Sequence, residues 1–190
     1  MAFDRAMAEE KLLKWEDGLK AYRLPTWEEL PALPLYMDQV IYLLNEYLAL
    51  FSQEEGEDRQ VTPAMVNNYV KSRLLPAPVK KRYTKAHLAC LIMICLLKQS
   101  MNTGDIPRVL HADASEEAIK GVYEAFAATL HTASEEHAQA VHGAAAAVKE
   151  GAVPVEHLIF RLAAQANLSG WLAAKLLHLE EKPDEAPEKE

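Results

Sequence analysis

The stretch Leu88-Ala-Cys-Leu-Ile-Met-Ile-Cys-Leu-Leu97 is apolar at each of its ten positions. As a helix it is about 15 Å long, half the hydrocarbon thickness of a bilayer, so it does not read as a membrane span. A helix with no polar side has to be covered on more than one face. The run therefore predicts a buried core helix, capped by Thr84 and reaching about Ser100. Cys90 and Cys95 both lie inside it, five residues apart, and so project in different directions. They read as small core hydrophobes rather than a disulfide or metal pair, which implies a reducing, cytoplasmic setting. No basic-apolar-cleavage leader opens the sequence, in keeping with that expectation.

The remainder supports an all-α fold. Seven glycines in 190 residues, with half the residues apolar and a quarter charged, describe a globular helical chain able to bury a core. Residues 3–22 suit an exposed first helix whose apolar content is Leu12, Leu13 and Trp15. Leu24–Met37 holds three prolines and a Thr26/Glu29 capping box, and is expected as a strap anchored by Trp27, Leu30 and Tyr36. Asp38 is placed to cap a helix to about Phe51, and Gln53–Arg59 to form a solvated loop. Thr62-Pro63 is a capping hydroxyl followed by proline at the first helical position, predicting a helix to about Arg73. That helix turns Met65, Val66, Tyr69 and Val70 inward. Leu74-Leu75-Pro76-Ala77-Pro78 ends it, and Asp105 is placed to cap a short helix through Leu110. Residues 115–150 read as one long helix or two in line. Gly151 and Pro154 stop it, and helices at about 154–166 and 168–180 follow as a hairpin. The expected divisions are 1–35 (first helix and strap), 36–112 (a compact lobe), 113–181 (a helical dimerisation or effector lobe) and 182–190 (a disordered tail).

Charge is distributed very unevenly. Between Arg59 and Gly104 stand eight Lys and Arg with no Asp or Glu, whereas the rest of the chain holds twelve basic and all 28 acidic residues. An acid-free basic window in an acidic protein points to a polyanion partner; the alternative is a solvated face of an ordinary bundle. On the 62–73 helix, Asn67 and Asn68 face away from the apolar side with Lys71 and Ser72. Asparagine makes a paired hydrogen bond with an adenine edge and lysine neutralises phosphate; the pair equally solvates a helix surface. Arg73 follows, then Lys80, Lys81 and Arg82 on a short loop fixed by prolines on one side and Tyr83 on the other, and then Lys85. These eight residues (Asn67, Asn68, Lys71, Arg73, Lys80, Lys81, Arg82 and Lys85) are the expected contacts to duplex DNA.

The segment Val66-Asn-Asn-Tyr-Val-Lys-Ser-Arg-Leu-Leu-Pro76 with Lys81-Arg-Tyr-Thr84 resembles the recognition helix and wing of MerR-type winged helix-turn-helix regulators. With Leu35-Tyr-Met-Asp-Gln39 upstream, the chain is also similar, over about residues 24–112, to a bacterial family known only as a domain of unknown function. The MerR resemblance implies a core role for Tyr69, a basic helix end at Lys71 and a phosphate contact for Arg82. Asn67 and Asn68 stand where arginine and a first aromatic are usual, and a ten-residue loop stands where a tight turn is expected. The implied fold is a MerR-like winged helix-turn-helix lobe, then a long helix and a C-terminal helical hairpin.

Ile119, Tyr123, Phe126, Leu130, Ala133, His137, Ala140 and Ala144 repeat in steps of four and three, a heptad seam. By the same resemblance it implies a homodimer through Ile119, Tyr123, Phe126, Leu130 and His137; otherwise it is a seam within one bundle. His131 and Glu135 share a helix face, but no second ligand pair accompanies them, so no metal and no cofactor are expected. Neither a nucleophile elbow, a phosphate-cradling glycine loop nor a dinucleotide fingerprint occurs, so the chain does not read as an enzyme. Two functions remain: a DNA-binding transcription regulator, or a helical module that binds a protein or an unidentified small-molecule effector. In the second, the 88–97 helix, Trp171 and the Ala-rich seam would form the groove.

Overall fold

The computed structural model describes residues 3–54, 57–58 and 60–179; the expected disordered tail at 182–190 lies outside them. The protein is all-helical apart from a ribbon of two two-residue strands. α1 spans Arg5–Ala21, α2 Met37–Tyr47, α3 Ala49–Ser52, α4 Pro63–Lys71, α5 Lys85–Leu97, α6 Glu116–Lys149 and α7 Val155–Leu177. Strands β1 (Gln53–Glu54) and β2 (Glu57–Asp58) pair antiparallel where a loop was expected. No helix among the described residues is long and apolar enough to cross a membrane.

α5 is the central element. Thr84 caps it, its hydroxyl accepting from the His87 amide, and every residue from Leu88 to Cys95 is buried. The strap and α2, α4 and α6 cover it, through Trp27, Leu30, Val40, Leu44, Val66, Tyr69, Ile119 and Tyr123. Burial pushes the Cys90 thiol up to about 12 and Cys95 to about 11; both are free cysteines.

The strap crosses this core as expected at Trp27 and Leu30, and the Thr26/Glu29 box closes its one turn. Tyr36 is not an anchor. It stands half exposed just before α2, because the backbone on either side is already fixed: Leu35 pairs with Tyr83 and the Gln39 side chain accepts from the Tyr36 amide. That makes Tyr36 the capping residue and leaves Asp38 inside the first turn of α2. α2 breaks at Leu48, and Ala49–Ser52 forms a separate turn of helix. Asp105 heads only a 3-10 turn, Ile106–Arg108, through its backbone.

The first helix is not a free one. α1 runs antiparallel along α6, as three pairings show: Glu9 with Lys149, Glu16 with His142, and the Leu19 carbonyl with the Ser134 hydroxyl at 2.7 Å. The Ala-rich half of α6 permits this approach. Leu12 with Ala144, Ala145, Val148 and Leu158 forms a second, smaller core. α6 is one continuous helix, and its buried row drifts from the heptad. Ile119, Tyr123 and Ala144 are buried as the seam requires, but the other buried residues further along are Ser134, Ala138, Ala145 and Val148, which lie off it. A straight helix has about 3.6 residues per turn rather than 3.5, so a row seven apart rotates away from a fixed neighbour. His137 therefore faces outward, its Nδ1 2.8 Å from the Ala133 carbonyl.

Gly151 ends α6 in the left-handed region at φ +70°, and the Arg5 guanidinium occupies the space a Cβ would need. The expected C-terminal hairpin is absent. Gln165-Ala-Asn-Leu168 contains neither proline nor glycine, and α7 runs straight through it.

Candidate nucleic-acid interface

The basic window folds into a helix, a tight helix stop and a hairpin. α4 starts as its sequence dictates: the Thr62 hydroxyl accepts from the Met65 amide, Pro63 occupies the first position, and Val66 and Tyr69 point inward. Its register is set from α2 by a residue that pattern reading passed over. The Asn45 amide clamps Val61 on both sides, accepting from its N–H at 2.7 Å and donating to its carbonyl at 3.3 Å. The only sequence signal for it is a polar residue beside Leu44 on the apolar face of α2. With α4 fixed in this way, Asn67, Asn68 and Lys71 are exposed.

α4 stops two residues short of the expected Arg73. Ser72 is its cap, and Arg73 enters the left-handed region at φ 61°. That turn lets the Leu74 and Leu75 amides both donate to the Tyr69 carbonyl, while their side chains enter the core. Arg73 lines a groove of about 470 Å³ whose far wall includes Pro107 and Leu110 to Asp113.

In that hairpin Val79 and Arg82 pair across a two-residue turn, the Arg82 amide donating to the Val79 carbonyl at 3.0 Å. Lys80 and Lys81 form the tip with φ 49° and 62°. Two consecutive left-handed residues closed by this bond make a type I′ turn, a position normally held by Asn-Gly because side chains disfavour it. Next to it Tyr83 exchanges two 2.8 Å hydrogen bonds with Leu35, so the strap forms a third rung of a small ribbon. Lys80, Lys81 and Arg82 are exposed.

The structure divides the eight expected contacts. Lys71, Arg73, Lys80 and Lys81 have no carboxylate partner among the described residues. Elsewhere the cations Lys20, Arg23, Lys120 and Lys149 are paired with glutamates. Arg82 is exposed but pre-positioned: it lies 4.8 Å over the Tyr36 ring and donates to the Tyr36 hydroxyl at 2.9 Å. Lys85 is removed from the set. Its ammonium is half-buried, donating to the Trp27 carbonyl at 2.9 Å and lying 5.4 Å from that indole, because capping by Thr84 points the first turn of α5 at the strap. Lys98 lies over the Tyr69 ring at the opposite end of α5. His87 closes the support beneath the hairpin. Its Nδ1 accepts from the Thr84 amide, which places the proton on Nε2, and burial holds its pKa below the ordinary value.

The expected dimer residues are placed differently. Ile119 and Tyr123 are inside the chain's own core, the Tyr123 hydroxyl donating to the Pro25 carbonyl at 2.7 Å, and Phe126 and Leu130 pack against it. The first half of this seam is occupied within one chain, while His137 stays exposed. The apolar run Leu88–Cys95 of α5 is likewise buried within the chain. His131 and Glu135 are an exposed pair 3.7 Å apart, and no group of three or more metal-ligating side chains occurs among the described residues.

A family model described as a domain of unknown function, DUF1836, matches residues 25–126. This span takes in the strap, the basic hairpin and the first turns of α6. No curated protein and no solved structure matches the chain.

Proposed function

The chain belongs to the DUF1836 family, and from the geometry of its basic hairpin we propose that it binds duplex DNA as a regulator with a MerR-like winged helix-turn-helix lobe. α4 is the recognition helix, with Asn67 and Asn68 reading base edges from its exposed side and Lys71 on phosphate. The Val79–Arg82 hairpin is the wing, with Lys80, Lys81 and Arg82 on the backbone beside the groove. Arg73 contributes to the positive field rather than to the same contact surface. Lys85 has a structural role. The reading assigns no catalytic step and no cofactor, and it places the protein in the cytoplasm with DNA.

One observation carries it. All three non-glycine residues of positive φ in the described chain are basic and lie in this unit: Arg73, Lys80 and Lys81. A left-handed backbone costs an L-residue about 1–2 kcal/mol, and such strain concentrates where function maintains it. Two lysines retained at a turn that favours Asn-Gly, without acidic neighbours, fit a wing whose tip meets phosphate.

The test is fluorescence anisotropy with a labelled random-sequence duplex over a salt series. Four exposed basic groups, Lys71, Lys80, Lys81 and Arg82, predict a log–log salt slope of about −3.6. Joint Lys80→Ala and Arg82→Ala should weaken every duplex alike, and Asn67→Ala should relax discrimination at one base by about 1–3 kcal/mol. Wild-type affinity for random duplex in the Lys80→Ala/Arg82→Ala protein at low salt refutes the DNA reading.

A second reading, a site for a small-molecule effector, draws on a groove of about 340 Å³ between α1, α6 and α7. Leu12, Ala140, Ala144 and Leu162 make its apolar wall, with His137 and Arg161 at its edge. Copurification of an apolar ligand with protein that ignores DNA would favour it.

A further inference from the structure

Among the described residues, α7 is a long helix whose large apolar side chains are mostly uncovered. Of its 23 residues only Leu158 is buried, while Phe160, Leu168 and Trp171 are 67, 67 and 60 % exposed. The side it turns to the body is accounted for: Leu158 and Leu162 line a groove with α6, and Gly170, Ala173, Ala174 and Leu177 line another with the turn after α5. At about 100° per residue, the opposite side carries Phe160, Ala164, Asn167 and Trp171. These are spaced four, three and four apart, the stepping of a helix that pairs with another helix.

We propose that this face is the homodimer seam, occupied by α7 of a second copy running antiparallel, with the two-fold axis between Gln165 and Ala166. Charge selects both the partner and the direction. About that axis Glu156 of one copy lies opposite Lys175 of the other, twice over, and Phe160 lies opposite Trp171. Parallel pairing would instead set Glu156 against Glu156 and Lys175 against Lys175, and like charges face to face oppose association. Ala164 opposite Asn167 at the centre allows close approach. Helices about 34 Å long paired in this way cover on the order of 700 Å² per copy, at the lower edge of the roughly 800 Å² of a stable interface. An interface at this lower edge fits a reversible association, expected in the micromolar range. This seam does not depend on DNA binding, and it lies on a different helix from the α6 heptad, whose first half the chain uses itself.

Sedimentation velocity of the full chain over a concentration series tests it. Wild type should dimerise in the micromolar range. Trp171→Asp, at an exposed position, should stay monomeric throughout that range with an unchanged circular dichroism spectrum. Glu156→Lys alone and Lys175→Glu alone should each weaken the dimer roughly three- to tenfold, and the two together should restore it. A wild-type monomer across the series, including one that cosediments with anionic vesicles, overturns the proposal. So does a dimer that Trp171→Asp leaves intact, or a charge exchange that fails to restore association.

Discussion

Replacing Lys80-Lys81 by Asn-Gly separates stability from function in opposite directions. In the folded chain both lysines hold positive φ in a type I′ turn, each at a cost of about 1–2 kcal/mol. Glycine at 81 removes that cost and gives back about 0.5–1 kcal/mol through the greater freedom of the unfolded chain. Asparagine at 80 removes part of the first. The net expectation is a gain of about 1 kcal/mol, or roughly 2–4 °C in Tm for a chain of this size. Neither lysine has a carboxylate partner among the described residues, so no ion pair is lost to offset the gain. The same change deletes two charges at the hairpin tip. If both neutralise phosphate, the salt slope falls by about 1.8 and affinity drops on the order of tenfold per charge near ~0.1 M salt. Differential scanning calorimetry and anisotropy on one preparation read both effects. A raised Tm with DNA binding and salt slope unchanged would show that the strained lysines do not contact DNA. A lowered Tm would refute the turn geometry itself.

Four further expectations follow from the packing and the titratable groups. Leu91→Ala, at the fully enclosed centre of α5, should cost about 2–5 kcal/mol in urea unfolding. Asn45→Ala leaves the half-buried Val61 amide without its partner and should cost about 1–3 kcal/mol, with faster amide exchange at the start of α4 as a second readout. Glu16 lies buried against α6, where Lys20 and then His142 hold its carboxyl below the usual 4.5. Its depressed pKa contributes stability that is present above the unfolded value and lost as pH falls below about 4.5 toward the lower folded value. Glu16→Gln should flatten that acid limb in pH-dependent thermal melts. Cys90 and Cys95, with thiols raised to about 12 and 11 by burial, should resist iodoacetamide in the native protein at neutral pH and react on unfolding.

The all-α class and the buried core helix were legible because their determinants are local. An apolar run with no polar face, a Thr-Pro start and a Thr/Glu box each specify their own neighbourhood, and Leu88–Cys95, Thr62 and Thr26 behave accordingly. Partner choice was not legible in this way. The heptad on α6 is real in sequence, but α1 meets it first, and the drift of a straight helix turns His137 outward while burying Ser134 and Ala138. At the candidate site exposure was readable for Asn67, Asn68 and Lys71 from the spacing of Val66 and Tyr69. The capture of Lys85 by the strap was not, because Trp27 lies 58 residues away in sequence. Nor was the left-handed tip, since lysine carries no signal for positive φ. Only the closing bond between Val79 and Arg82 reveals it.

The pairing of α1 with α6 also sets an order of events during synthesis. The Leu19 carbonyl waits for Ser134, 115 residues later, and Glu9 for Lys149, 140 later. At about 5–20 residues per second, α1 spends on the order of 6–30 seconds outside the ribosome before its docking face exists. By then the strap, α2, α4 and α5 have emerged and can close around the Leu88–Cys95 helix. A strongly apolar first helix would compete for that core while it waits. α1 carries Leu12 as its one buried apolar residue and Glu16 as the other buried position, so it offers little for the core to capture and leaves the nascent lobe free to fold first.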